Sequence, residues 1–187
     1  NNTINNDNGI EFHNKLAYLW NDMHKKKSFN KRVFLFSELF KELVKPDSSW
    51  LDAGCGSGVL TRELAHHGGY VDAIDGSRKM LEYAEKSSKI YMNNVSYEEA
   101  DLSGLLSYFD SSYEGILSSS VIEYMDNPNL MLSEFYRITK DNGFLIVSAP
   151  NRLSLIRITQ VLIRFFSKFI GKDMFAYLSV SKNSYSS

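Results

Sequence analysis

The central part of the chain alternates between short apolar runs and longer segments in which apolar residues recur every three or four positions. Short runs of this kind predict buried strands, and the longer spacing predicts amphipathic helices. Strands are predicted at 50–53, 70–74, 95–100, 113–120 and 144–148. Because strands that alternate with helices imply right-handed crossovers, the sheet should be mostly parallel and doubly wound. The predicted fold class is therefore α/β, a three-layer sandwich.

Helices are predicted between these strands. One covers 59–65, directly after the first strand, and another begins at Pro128, a residue that favours the first turn of a helix. A turn at 141–143 separates this second helix from the last strand. The residues expected to face inward are Met80, Leu81 and Ala84 in the helix before the third strand, and Leu130, Leu132, Phe135 and Ile138 in the helix that begins at Pro128.

Two more amphipathic segments precede the first strand, after an Asn-rich end at 1–9 that predicts disorder. Residues 25–27, all lysine, are interpreted as a solvated link, and the second segment ends before Pro46. Helices in this position can lie over the carboxyl edge of the sheet, so residues 1–45 are predicted to form an N-terminal helical cap. The apolar residues that define the two segments are Phe12, Leu16, Leu19, Trp20 and Met23, then Val33, Phe36, Leu39, Phe40 and Leu43.

The rest of the chain is predicted to divide into an α/β core at 46–151 and an apolar helical segment with a loose, Ser-rich tail at 152–187. Within the latter, residues 152–171 are apolar on most sides apart from one cationic stripe. Such a helix either packs in a core, makes peripheral contact with a membrane or a lipophilic substrate, or joins two subunits. The sequence leaves the three interpretations open. The stripe consists of Arg157, Arg164 and Lys168.

Composition restricts the function classes. The 187 residues suit one domain, and a net charge of −1 gives no field that would favour nucleic acid as a partner. The single cysteine, Cys55, excludes an internal disulfide, and the absence of a Cys/His cluster with zinc spacing predicts no metal. Without a signal peptide or a span-length apolar run, the expected location is the cytoplasm, with membrane association only through 152–171.

The glycines between the first strand and its helix fall on alternate positions, Gly54, Gly56 and Gly58. Because glycine is entropically unfavourable, the backbone here must need unusual dihedrals or close approach to a ligand. A dinucleotide fingerprint would place its third glycine at Val59. Asp52, two positions before the first glycine, would not help a pyrophosphate but would favour an ammonium or sulfonium ligand. A flexible connection and a nicotinamide-dinucleotide site are the alternatives.

Asp75 stands at the carboxyl end of the second strand. At this place a carboxylate can accept hydrogen bonds from both ribose hydroxyls of an adenosine. The alternative is a cap on the next helix, although Ser77 also offers one. Met80 is interpreted either as a contact to adenine or as a core residue.

The stretch Asp52-Ala-Gly-Cys-Gly-Ser-Gly58 resembles the first motif of the S-adenosylmethionine (SAM)-dependent methyltransferases with the Rossmann-like fold. Four further stretches carry the resemblance, which is nearest to the small-molecule type and to the ubiquinone-biosynthesis O-methyltransferases. They are 73–77, 100–102, 118–124 and 143–151.

This resemblance implies an enzyme with SAM as cofactor that methylates an oxygen or nitrogen atom of a small, in some cases lipophilic, molecule. The alternative is a non-catalytic SAM-binding module or an activating partner of another methyltransferase. In the family, an acidic residue after the third strand takes the adenine amino group beside an apolar residue, and Asp101 and Leu102 match them. The cofactor-binding residues predicted in all are Asp52, Gly54, Cys55, Gly56, Gly58, Asp75, Gly76, Ser77, Met80, Asp101, Leu102, Ser118 and Ser119.

The sequence departs from the quinone enzymes in two places. Their Glu-x-x-Glu-His after the fourth strand, implicated in metal binding, is replaced by Ser120-Val-Ile-Glu-Tyr124, so metal-assisted chemistry is not expected. A sixth strand and an antiparallel seventh, with which the family sheet ends, are not recognisable after Gly171, so the chain is expected to be truncated or incompletely represented. The candidate bases are Tyr124 and Glu123 at the sheet edge and Tyr18, His13 and His24 in the cap; an amine acceptor would need none.

Overall fold

Five parallel strands form the sheet that the alternating pattern predicts. In the computed structural model, which describes residues 27–149, the strand order is β3-β2-β1-β4-β5 and every neighbouring pair is parallel. The order reverses direction beside β1, so the carboxyl ends of β1, β2 and β4 meet at the switch point where α/β sheets bind ligands. The strands are β1 (Ser49–Ala53), β2 (Tyr70–Asp75), β3 (Val95–Glu99), β4 (Tyr113–Ser119) and β5 (Thr139–Ser148).

Helices cover both faces of this sheet. Because side chains alternate along a strand, Trp50 and Leu51, both fully buried, lie on opposite faces of β1. Trp50 packs in a cluster with Phe40 of the first helix, α1 (Lys27–Leu43), whereas Leu51 packs in a second cluster with Phe135 of the last helix, α4 (Pro128–Ile138). The layers are therefore helix, sheet and helix, as predicted. The helices are α1 (Lys27–Leu43), α2 (Val59–His66), α3 (Arg78–Ser87) and α4 (Pro128–Ile138).

Two residues assigned to the apolar faces of predicted helices lie at the surface. Leu39 of α1 is 36% exposed and Leu130 of α4 is 37% exposed, whereas the neighbouring Phe40 and Met131 are buried. One residue corresponds to about 100° around a helix, so a stripe centred one position later turns these leucines outward. The structure corrects the register of the two apolar faces and leaves the helices themselves where the pattern predicts them.

The predicted turn at 141–143 lies inside β5. The strand already pairs at Thr139, opposite Tyr113, and pairing resumes at Phe144 after an irregular stretch in which Asn142 has a φ of 60°. The extra residues form a bulge, so β5 begins earlier than the apolar run 144–148 suggests. Asn is among the residues that adopt this left-handed conformation most readily.

By compactness the chain divides into two units, Asn1–Ala149 and Pro150–Ser187. The predicted helix at 12–23, the apolar segment at 152–171 and the question of further strands after Gly171 all lie outside the described residues. Within residues 27–149, no helix combines the length and the apolar character needed to cross a bilayer.

Candidate functional site

The loop between β1 and α2 requires glycine by its backbone geometry. Gly54, Gly56 and Gly58 have φ values of 80°, 54° and 69°, all in the left-handed region that residues with a side chain avoid. The amide groups of Gly54 and Cys55 both donate to the carbonyl of Ile74, at 2.8 and 3.0 Å, and so draw the loop over the end of β2. These φ values account for the glycines by the first of the two expected reasons, unusual backbone dihedrals.

The three glycines face different surroundings. A Cβ atom on Gly54 would lie 2.2 Å from Val121, and one on Gly58 would lie 2.6 Å from the Tyr97 hydroxyl. At Gly56, by contrast, the nearest atom among the described residues is the Met80 methyl group at 3.6 Å. Gly54 and Gly58 therefore permit packing inside the protein, whereas Gly56 leaves a wall of the adjoining cavity open.

Asp75 connects the glycine loop to the start of α3. One carboxylate oxygen accepts the Gly56 amide hydrogen at 2.8 Å, and the other accepts that of Ser77 at 2.8 Å. The helix cap is Ser77, whose hydroxyl accepts from the Met80 amide at 3.3 Å. Two backbone donors thus hold the Asp75 carboxylate in a fixed orientation beside the cavity.

Asp52 is a buried acid at the floor of the site. Asp52 is only 2% exposed, and one of its carboxylate oxygens accepts a hydrogen bond from the Thr61 hydroxyl at 2.6 Å. Burial raises the pKa of Asp52 to about 7; the hydrogen bond from Thr61 opposes this change and the charge of Asp75 adds to it. A cationic ligand next to Asp52 would favour the charged carboxylate.

The carboxylates of Asp52, Asp75 and Asp101 border one cavity of about 200 Å³ at the carboxyl edge of the sheet. Asp101 is exposed and accepts the Ser103 amide hydrogen at 2.9 Å. The other predicted cofactor residues that line this cavity are Gly54, Cys55, Gly56, Gly76, Met80, Leu102 and Ser119.

Three predicted cofactor residues are not part of the cavity lining. Gly58 packs against Tyr97 and Ser77 caps α3, so both residues stabilise neighbouring elements and do not line the cavity themselves. Ser118 is fully buried, and its hydroxyl oxygen has no hydrogen-bond partner among residues 27–149.

Cys55 lines the cavity, but desolvation and the nearby Asp52 raise the pKa of its thiol well above the ordinary value. The thiol is therefore an uncharged, space-filling group.

Helix α1 contributes residues that the sequence pattern did not single out as functional. Phe29, Arg32 and Val33 line the cavity, and the Arg32 guanidinium donates to the hydroxyl of Ser119 at the end of β4. Burial lowers the pKa of Arg32, and the charge of Glu123 opposes this effect. The sequence feature that could have indicated Arg32 is its spacing from Phe29. Arg32 follows Phe29 by three positions, so the two residues lie on the same side of the helix.

The candidate bases separate into two groups. Tyr124 lines the cavity, and burial together with the charge of Glu123 raises its pKa. Glu123 stands behind the lining, with one carboxylate oxygen buried and lacking a hydrogen-bond partner in the described part of the chain. His13, Tyr18 and His24 lie outside that part. Among the residues described, no cluster of His, Cys, Asp or Glu could hold a metal ion.

Comparison with known proteins identifies a family. The model of the methyltransferase domain matches residues 51–147, just over half of the chain. Malonyl-acyl-carrier-protein O-methyltransferase of Halalkalibacterium halodurans is 30% identical over 146 residues, which cover 74% of this chain and 54% of that protein. The mitochondrial ubiquinone biosynthesis O-methyltransferase of Schizosaccharomyces pombe is 28% identical over 171 residues, with 82% and 59% covered.

Solved structures share the fold. The crystal structure of the (4+2)-cyclase SpnF superposes with a TM-score of 0.69 at 17% identity, over 78% of this chain and 60% of that one. A likeness at this identity shows the architecture alone, and a cyclase with it illustrates that a fold does not fix a reaction. The chain spans little more than half the length of the two relatives above.

Proposed function

Because the chain belongs to the methyltransferase-domain family, in which SAM is the cofactor, we propose that it transfers the methyl group of SAM to a small molecule. The observation that carries the proposal is the convergence of Asp52, Asp75 and Asp101 on one cavity beside a left-handed glycine loop. The acceptor atom is an oxygen or nitrogen, and the names of the two relatives favour oxygen.

The chemistry of the lining fits SAM. Carboxylates suit a ligand with ribose hydroxyls, an amino group, an ammonium and a sulfonium, and Gly56 lets the ligand approach the backbone closely. Asp75 would accept from the ribose hydroxyls and Asp52 would neutralise the ammonium. Arg32, the cationic residue among those described at the cavity, would pair with the ligand's carboxylate.

The adenine end would lie between two elements. Met80 from α3 and Leu102 after β3 are buried residues that reach the cavity from different sides, and Asp101 stands next to Leu102. Apolar side chains of this kind can hold an aromatic ring by its faces, and the carboxylate can accept from its amino group.

SAM, when bound, supplies an electrophilic methyl group on a good leaving group. The protein therefore has to align the acceptor with the methyl group and exclude water. We assign the acceptor end to Phe29 and Val33 of α1 and to Tyr124 and Met125 after β4, all of which line the cavity. These apolar and aromatic side chains favour an acceptor with an apolar body, and the apolar character of 152–171 supports a lipophilic one.

The two residues after β4 are assigned different roles. Since its pKa is raised, Tyr124 keeps its proton at neutral pH and would hold the acceptor as a hydrogen-bond donor. Glu123 does not line the cavity, so it would act as the base for an acceptor hydroxyl through a bridging water. A carboxylate acceptor would need no base because it is already a nucleophile.

The test is turnover. Purified protein with SAM and a panel of aryl alcohols, carboxylic acids and amines should release S-adenosylhomocysteine with one class of acceptor, and Tyr124→Phe should raise KM more than it lowers kcat. SAM binding without release for any class of acceptor would contradict catalysis and favour a binding module. Wild-type protein that binds no SAM would reject the proposal altogether.

A further inference from the structure

The last turn of α4 is fastened to the loop that joins β3 to β4. Arg137 has five N–H donors, and each has an acceptor. Two go to the carboxylate of Glu134 at 3.1 and 2.8 Å, and one goes to Asp110 at 2.7 Å. The remaining two go to the backbone carbonyls of Leu106 and Tyr108, at 3.1 and 2.8 Å. One guanidinium group therefore fixes both the backbone and a side chain of the loop.

Glu134 completes this arrangement from inside the protein. It is only 5% exposed, and besides Arg137 its carboxylate accepts the amide hydrogen of Leu106 at 3.0 Å. The hydrogen bond from Arg137 is the main cause of a lowered pKa at Glu134, so the carboxylate stays charged at neutral pH. Leu106 is thus held through both its N–H and its C=O, while its side chain is buried under α4.

The first part of the same loop forms a wall of the cavity. Ala100, Asp101 and Leu102 line it, four to six residues before the position that α4 holds. Leu102 is 6% exposed and belongs to the same buried cluster as Leu106 and Phe135 of α4. The hydrogen bonds to Glu134 and Arg137 and the contacts of Leu102 therefore restrain opposite ends of one short stretch.

We propose that Glu134 and Arg137 are positioning residues for the cofactor, because they hold the 100–110 loop in the conformation in which Asp101 and Leu102 meet the adenine end of SAM. This inference rests on the proposed function. Without the two side chains, the loop would have to become ordered when the ligand binds. The entropic cost of this ordering would reduce the affinity for the ligand.

The first experiment compares two ion pairs near the amino edge of the sheet, of which only the Arg137–Glu134 pair holds the 100–110 loop. Arg137→Gln should weaken SAM binding about tenfold in calorimetry, since an ordering cost of this size accompanies loss of a loop restraint. Lys140→Gln is the matched control, because it breaks a partly exposed pair with Glu114, whose other side-chain hydrogen bonds go to Ser49 of β1 and not to the 100–110 loop. The control should bind SAM like the wild type. Glu134→Gln, which keeps an acceptor for the Leu106 amide, should lose less affinity than Glu134→Ala.

A double-mutant cycle separates positioning from general destabilisation. In a Leu102→Ala background, Arg137→Gln should weaken SAM less than about threefold, since the side chain that it positions is gone. In an Asp52→Asn background the tenfold effect should persist. Additive losses in both backgrounds, or wild-type affinity in Arg137→Gln, would overturn the inference.

Hydrogen exchange of the free protein gives a readout that does not need SAM. Amide hydrogens at 102–110 should exchange faster in Arg137→Gln than in the wild type. In Lys140→Gln their exchange rates should equal those of the wild type. If the wild type bound no SAM, the proposed function and the cofactor role of the two residues would fail together. Normal exchange in Arg137→Gln with intact SAM binding by the wild type would instead reject the positioning role alone.

Discussion

At the scale of single residues, Asp75 is a cavity-lining carboxylate that two backbone amides hold in place. Backbone donors from Gly56 and Ser77 hold its two oxygens, so its geometry is set before a ligand arrives. Asp75→Ala should therefore weaken SAM binding more than Asp101→Ala, because Asp101 is an exposed residue whereas Asp75 is held against the glycine loop. Loss of two hydrogen bonds to a charged acceptor corresponds to roughly 3–6 kcal/mol at most. Isothermal titration measures both variants, and a loss below threefold for Asp75→Ala would assign it a structural role only.

Asp52 gives cofactor binding a pH dependence. Burial raises its pKa to about 7, so near neutral pH the ligand-free protein carries a proton there in a large fraction of molecules. An adjacent cation lowers this pKa, so SAM binding should release the proton. Affinity should consequently increase as the pH rises from about 6 to about 8.

Proton release can be measured directly. Titration of SAM into the protein in two buffers with different ionisation enthalpies should give different heats for the wild type and equal heats for Asp52→Asn. Equal heats for the wild type at pH 7 would mean that Asp52 keeps one protonation state on binding.

At the scale of elements, the glycine loop combines two separate requirements. Alanine at Gly56 or Gly58 would be strained by roughly 1–2 kcal/mol, because both positions have a positive φ. Only Gly58 also faces the Tyr97 hydroxyl, which adds about 1–3 kcal/mol for overpacking. Gly58→Ala should therefore destabilise the fold more than Gly56→Ala, as measured by urea unfolding.

A second substitution tests the cause of that difference. Tyr97→Phe removes the hydroxyl that the new methyl group would meet and should restore part of the stability of Gly58→Ala. Gly56→Ala should instead reduce SAM affinity with a smaller effect on stability, because Gly56 lines the cavity. Equal destabilisation by the two alanines would show that strain alone decides.

The helices show how far periodicity reaches. It located α1 and α4 and assigned Leu39 and Leu130 to their apolar faces, but both are exposed because a stripe of apolar residues is wider than the face that a neighbour covers. The burial of Glu134 could not be predicted from periodicity. An acid on an amphipathic helix is usually solvated, and its partner Arg137 and the loop carbonyls become neighbours only in the folded chain.

At the scale of the whole molecule, the sheet order and the site follow from different kinds of information. Five apolar runs with helical spacers predict parallel strands, and carboxylates at the strand ends then meet at one edge. Asp52 and Asp75 could thus be predicted from the residues themselves, whereas Asp101 was expected only from the resemblance to the methyltransferase family. Arg32 could not, because the sequence does not tell how α1 crosses the sheet edge or which of its turns faces the cavity.

The central claim is that this cavity takes SAM rather than a dinucleotide. The most direct measurement is calorimetric titration of the wild-type protein with SAM and, separately, with NAD. We predict saturable binding of SAM at one site and no heat of binding for NAD, because the glycine spacing and the buried acid Asp52 suit a cation and not a pyrophosphate. Saturable binding of NAD together with no binding of SAM would contradict the account.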